Sequence, residues 1–274
     1  MPVLPHSAAS NTGVILPGNT SGSTSAPITV NPSAPDVAAI GAILWTGNVD
    51  ASGADFTLEI DGTPMEQADD PLELGTDETD WLIPYKLVAP TSGNVVASFS
   101  GISSSFLTQQ IKFVVVSYSG VDQIGDPTHT GGGAATTHNS LAINSVLPAH
   151  RVAAIHGVAG INFFQSNNQQ IQANATSNFN LNGQLMLQDA PGAASVTCTA
   201  EMRFAVQNWG VFGFALTPAV VNIDAVLTLS PLSLVANASL YRVATPDPAR
   251  TWPLPTQPGV LPDPMPPGFP AVSR

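Results

Sequence analysis

Ten prolines fall within the last 29 residues, Pro246 to Arg274, with Trp252, Leu254, Val260, Leu261, Met265 and Phe269 set among them. Proline has no backbone N–H and fixes φ, so this stretch can form neither a helix nor an interior strand, and an extended, polyproline-like path is left. At ~3.1 Å per residue it would reach roughly 90 Å, against a radius of gyration of roughly 16 Å for the globular body before it. Burying its six large apolar side chains would contribute roughly 9 to 18 kcal/mol, offset by about 1 kcal/mol or more for each residue that is not already φ-locked. Such a segment needs a ready-made groove. The expectation is an arm that docks on a neighbouring subunit through Trp252, Leu254, Leu261, Met265 and Phe269; the alternative is a disordered proline-rich tail. Asp247, Arg250, Asp263 and Arg274 leave the arm formally neutral, so its docking should depend weakly on salt.

The preceding residues point to an all-β protein. Charged residues make up 9%, Lys occurs at positions 86 and 112 alone, and 25 Pro and 23 Gly accompany many Ser, Thr and Asn, which disfavours long amphipathic helices. The net charge of −12 is localised: residues 36 to 80 hold twelve acids, and no Lys or Arg precedes Lys86. That balance opposes binding to nucleic acid or to an anionic membrane. One cysteine, Cys198, excludes an internal disulfide framework and a cysteine-based zinc cluster. It reads as a small core residue of a strand. No signal peptide is visible in Met1–Leu16, and no apolar run reaches the ~18 residues of a membrane span. The expected place of synthesis is a cytoplasm, with no membrane insertion.

Residues 1–35 are rich in Ser, Thr, Gly, Asn and Pro without a hydrophobic period and read as an extended N-terminal arm. From residue 36 to 219 short apolar or alternating runs are separated by turn signals. About ten strands are expected: 37–45, 56–60, 81–87, 95–100, 111–119, 141–147, 152–158, 181–187, 195–202 and 209–216. Asp61-Gly62 is a strong hairpin turn, and Pro84 pushes its strand toward a sheet edge or a bulge. The fold class expected is an antiparallel two-sheet β-sandwich, jelly-roll-like, with Pro-rich arms at both ends. Residues 220–245 read as a small β appendage, with a sheet-covering strand as the alternative, and 246–274 as the proline arm.

Three constellations invite a chemical reading. Glu66, Asp69, Asp70, Glu73, Asp77, Glu78 and Asp80 place seven carboxylates in fifteen residues; Asp69, Asp70, Asp77 and Asp80 are candidate calcium ligands, although the spacing does not match the D-x-[DN]-x-[DN]-G loop, and a solvated acidic loop is the plainer reading. The run Asp126–Gly133, with His129 and His138, lacks both the order of a phosphate loop and a third metal ligand, and reads as a flexible loop. Residues 162–184 hold twelve Asn or Gln; Asn167, Asn168, Gln169 and Gln170, beside Phe163, Phe164 and Phe179, are a candidate glycan face or an ordinary solvent face in a Lys-poor chain. Gly101-Ile102-Ser103-Ser104-Ser105 lacks the second glycine of a nucleophile elbow. No acid/base pair is indicated, so neither an enzyme nor a cofactor is expected.

Several strings, taken in order, resemble a known group. Ile111 to Asp122, with Tyr118-Ser119-Gly120-Val121-Asp122, is similar to the "YSGVD" strand and turn of β-sandwich minor tail proteins of actinobacterial, mycobacteriophage-like tailed phages. The hairpin ending Asp61-Gly62-Thr63-Pro64-Met65 resembles that group's "GG-x-x-M" turn, with Asp61 in place of the commoner Gly. Trp81–Leu87 followed by Ala89-Pro90-Thr91-Ser92-Gly93 resembles its Trp strand and "P-x-x-G" turn, and Trp209–Pro218 its closing "W…F-A-L-T-P" strand. The resemblance covers residues 37 to 219 and leaves both arms outside. It implies a virion structural component, made in a host cytoplasm, whose sandwich is displayed and whose arms dock on other virion proteins, copies of itself included. It supplies no catalytic residues. A capsid decoration or head-fibre subunit, and a glycan-binding adhesin for host attachment, are the alternatives.

Overall fold

The computed structural model describes residues 2–219 apart from 31, 32, 35, 76, 77, 104–107, 133, 134, 146, 161 and 177–182. The expected appendage over 220–245 and the proline arm, with Trp252, Leu254, Leu261, Met265 and Phe269, lie outside the described residues. These contain nineteen β-strands and no helix.

The first ten strands are β1 (Leu4–Ile15), β2 (Gly22–Ile28), β3 (Ala38–Thr46), β4 (Asp55–Ile60), β5 (Thr63–Pro64), β6 (Glu66–Gln67), β7 (Leu72–Glu73), β8 (Asp80–Val88), β9 (Gly93–Ser100) and β10 (Gln109–Ser119). They form two antiparallel sheets, β1-β10-β3-β8-β6 with β7 also on β8, and β2-β9-β4-β5. The remaining strands are β11 (Val121–Ile124), β12 (Thr128–Gly131), β13 (Thr136–Asn144), β14 (Arg151–Val158), β15 (Phe164–Asn167), β16 (Gln170–Thr176), β17 (Gln184–Pro191), β18 (Ser195–Val206) and β19 (Trp209–Pro218). Their sheets are β11-β19-β14-β17-β16, with β12 also on β19, and β13-β18-β15. Two sheets are expected from the sequence; the described residues form four.

The two sets are repeats of one design. β10-β3-β8 corresponds to β19-β14-β17, β2-β9-β4 to β13-β18-β15, and each set lies in the same chain order. The registers agree residue by residue. Val37-Ala38-Ala39-Ile40 recurs as Val152-Ala153-Ala154-Ile155. Ala38 pairs with Val88 and Ala153 with Asp189, and each partner is followed by Ala-Pro, Ala89-Pro90 and Ala190-Pro191. On their other sides Ala38 faces Tyr118 and Ala153 faces Phe214, both fully buried.

Alternation of side chains across a strand explains how the sheets stack. Ala38, Ile40, Ala42 and Leu44 of β3 join Ala153, Ile155, Leu187, Phe212 and Phe214 in a core shared by the two repeats. Ala39, Ile43 and Trp45 point the other way, to Leu58, Val95, Ala97 and Phe99. In the second repeat Val152 and Ala154 likewise face Val196 and Cys198. The order is therefore outer sheet, inner sheet, inner sheet, outer sheet, with three apolar cores between. Sheets covered on both faces need continuous apolar strands, and every residue of β3 and β14 is buried. Each large side chain so buried contributes about 1.5–3 kcal/mol.

Residues read as an N-terminal arm supply β1 and β2 instead. β1 runs alongside β10 from Leu4↔Ser119 to Ile15↔Gln109, and β2 alongside β9. Both are edge strands with one margin in solvent, and Ala9, Ile15 and Ile28 suffice inside. Ser and Thr elsewhere erase the period, and Pro5 is accommodated next to a register shift at the start of the edge strand. Asp61-Gly62 forms the β4–β5 turn with φ of 51° and 74°, the double positive φ of a type I′ hairpin. Pro84 sits where the neighbouring strand is broken: Ala68 donates to its carbonyl at 2.9 Å, and the chain loops out through Asp69-Asp70 before β7 resumes pairing at Leu72↔Leu82. A residue without an N–H fits that gap.

Candidate functional site

The acidic run and the amide run, unrelated in sequence, occupy the same place in the two repeats. Each belongs to the segment between the outer-sheet strand (β4 or β15) and the inner-sheet strand that follows (β8 or β17). Each also latches onto the other repeat. His129 Nδ1 of β12 meets the Asp69 carboxylate at 3.1 Å, while Ser10 and Thr12 of β1 donate to the carbonyls of Asn174 and Thr176 of β16 at 2.9 and 3.1 Å. β1 and β12 are equivalent strands, so the contact is reciprocal, as in the isologous interface of a two-fold dimer. His129 thus lies on a strand, where a flexible loop was expected.

The described calcium candidates, Asp69, Asp70 and Asp80, do not gather into a metal site. Asp69 faces His129 and caps the backbone N–H of Asp70; Asp77 lies outside the described residues. Asp80 is buried, accepting from Gly47 N and Asn208 Nδ2, both at 3.2 Å. No group of three or more His, Cys, Asp or Glu side chains that could hold a metal is found among the described residues.

The amides of Asn167, Asn168 and Gln169 are turned onto the protein's own backbone. Asn168 donates to Thr197 O at 2.9 Å and accepts from Thr199 N at 2.7 Å, standing in for one rung of strand pairing on β18. Gln169 Nε2 also donates to Thr197 O, and its backbone N–H reaches Gln188 Oε1 at 3.3 Å. Asn167 donates to Gln169 O. Gln170 is exposed.

Gln188 leads into a polar chain inside the second repeat. His156, Asn139 and Gln188 are all fully buried. Gln188 Nε2 lies 2.6 Å from His156 Nε2, His156 Nδ1 lies 3.1 Å from Asn139 Oδ1, and Asn139 donates to Gly210 O at 3.0 Å. These contacts fix the tautomer with the proton on Nδ1. Burial pushes the His156 pKa down to about 3, so the ring is neutral and bridges the inner and outer sheets. Cys198 nearby is buried, its pKa raised by burial to about 12.

The charged groups at the shared core are paired, while the buried Tyr118 hydroxyl has no hydrogen-bond partner among the described residues. Arg151 makes two 2.7 Å hydrogen bonds to Asp189, which also accepts from Gln172 at 2.9 Å. Burial opposes the Arg151 charge, but the carboxylate holds it on, and the Tyr118 phenol beside the pair is pushed well up, mainly by burial. Lys112, fully buried, donates to Gln110 Oε1 at 2.7 Å. Burial drops its pKa to about 7 although the Asp80 charge pulls the other way.

Two shallow clefts, about 400 and 510 Å³, flank Val88, itself 68% exposed. Their polar linings are Asp36, Asp122, Glu66, Lys86 and Gln123; no described residue lining them is a histidine, cysteine or serine.

Arg203 and Phe204, which the sequence does not single out, join Phe163 in a surface cluster. Phe163 and Phe204 are 42% and 49% exposed, and the Arg203 guanidinium lies 5.4 and 4.9 Å from their ring centres. Asn162 fixes this corner, donating to Phe204 O at 2.9 Å and accepting from the backbone N–H groups of Phe163 and Phe204. The signal in the sequence is a broken alternation: Val196, Cys198, Ala200 and Met202 point inward, and the next apolar residue in phase, Phe204, does not.

No protein-family model, curated protein or solved structure matches the chain.

Proposed function

We propose that this chain is a structural protein of a phage particle: a minor tail protein whose paired sandwiches are displayed while its C-terminal arm docks on neighbouring virion subunits. Two lines support the reading. The ordered strings from Asp61-Gly62 to Trp209–Pro218 resemble minor tail proteins. The strand orders β1-β10-β3-β8 over β2-β9-β4-β5 are those of a jelly roll, repeated in the second half without a counterpart of β5 among the described residues, and jelly rolls serve capsids and lectins among other uses.

The observation that carries the proposal is where the ionisable groups go. Lys112, Arg151, Asp189 and His156 are all buried and engaged in hydrogen bonds within or between sheets, an arrangement that stiffens a scaffold and leaves none of them open to a substrate. The chain is proposed to act without catalysis or cofactor, among other virion proteins and copies of itself. Deleting 246–274 tests it: the sandwiches should stay folded while the protein is lost from particles. Normal incorporation of the truncated chain would refute the arm's role. Within the virion, a capsid decoration or head-fibre position is the second reading.

A further inference from the structure

The duplication supplies an internal control: what both repeats share serves the common fold, and what one repeat has alone calls for another reason. The Phe163–Arg203–Phe204 corner belongs to the second repeat alone. Val95, Ala97 and Phe99 of β9 correspond to Val196, Cys198 and Ala200 of β18, each set lying the same distance after its Ala-Pro. β9 ends at Ser100, the equivalent of Glu201, whereas β18 continues to Val206. That extension carries Arg203 and Phe204.

Arg203 is also electrostatically distinctive. Of the cations on the described residues, Lys86 faces Glu66, Arg151 faces Asp189 and Lys112 is buried. Arg203 is exposed, and among the described residues its side-chain partners are two phenyl rings. Glu201, the acid next along the same strand face, accepts instead from Ser166 at 2.8 Å. Phenyl rings offer a guanidinium no oxygen acceptor, so its forked N–H donors remain for a bidentate acceptor. The chain's net charge of −12 opposes anions at long range, so any carboxylate must be recognised locally, and that edge is complementary to one. The exposed phenyl surface suits an apolar C–H face lying flat on it. The adjoining face of β13 and β18 offers neutral hydroxyls, as in the Ser140–Thr199 pair at 2.9 Å, suited to a partner rich in hydroxyl groups.

We propose that the Phe163–Arg203–Phe204 corner is a binding site for an acidic saccharide of the hexuronate class, its carboxylate on the Arg203 edge and a pyranose face on Phe204 or Phe163. The site is distinct from Asn167–Gln170 and does not depend on where in a virion the protein sits. Isothermal titration of the full chain tests it, using tetragalacturonate, its carboxyl-reduced counterpart and tetraglutamate. Tetragalacturonate should bind and the other two should not. Arg203→Gln and Phe204→Ala should each weaken binding at least tenfold, Arg203→Lys should weaken it by losing the fork, and Thr57→Ala on the other outer sheet should leave it unchanged. The substituted side chains are exposed, and an unchanged thermal melt of each variant separates lost binding from lost fold. No binding of tetragalacturonate, equal binding of the reduced oligomer, or full affinity in Arg203→Gln overturns the proposal. Equal binding of tetraglutamate also overturns it, and would assign the corner to acidic peptides.

Discussion

Acid should loosen this protein through one residue, His156. The native ring is neutral and takes up a proton only near pH 3, because charging it would place an unsolvated cation between two sheets. In the unfolded chain the same ring titrates near its ordinary value of 6.5. Between these values the unfolded state holds a proton that the native state lacks, so stability falls as pH falls, by about 1.4 kcal/mol per pH unit. The contribution is intact above pH 6.5, is reduced by about 2 kcal/mol at pH 5, and continues to fall toward pH 3. A domain with about 5–15 kcal/mol to lose will register that. Urea unfolding at pH 7.5, 6 and 5, for wild type and His156→Gln, isolates the effect, since glutamine can bond to Asn139 and Gln188 but cannot titrate. The variant starts less stable at pH 7.5, and the gap should narrow by about 2 kcal/mol at pH 5. Parallel pH profiles for the two proteins would refute the reasoning.

Two further outcomes follow from the inner sheets. Arg151→Met leaves Asp189 buried with Gln172 as its remaining side-chain donor, and should cost about 3–5 kcal/mol in chemical denaturation, part of it recovered in Arg151→Met/Asp189→Leu. Chains 1–120 and 121–274, co-expressed, should purify together, because each alone would expose its half of the shared core, Ile40 and Val116 in one, Ile155 and Phe214 in the other. Soluble, monomeric and stable 1–120 on its own would contradict the shared core.

The central strands were legible because burial on both faces demands unbroken apolar runs, and such runs are what 37–45, 111–119 and 152–158 display. The Asp61-Gly62 turn was legible because few dipeptides accept two positive φ values. Less was legible at the edges. β1 and β2 bury little more than Ala9, Ile15 and Ile28, so Ser and Thr hide their alternation, and composition reads as an arm. The duplication escaped because its longest sequence traces are Val-Ala-Ala-Ile and Ala-Pro; most other equivalent positions keep burial, not identity, as Tyr118 and Phe214 do. The two compositional oddities were seen but not their kinship, since a carboxylate-rich and an amide-rich segment share a place in topology and nothing in chemistry. The Phe204 corner was hidden by the assumption that the strand ends at Met202.

The central claim, that this chain is a virion structural component, is tested most directly by immunogold labelling of purified particles whose genome encodes it, with antibody raised against the full chain. Gold clustered on the tails is the predicted result. Unlabelled particles, with the protein left in the soluble lysate, would contradict it.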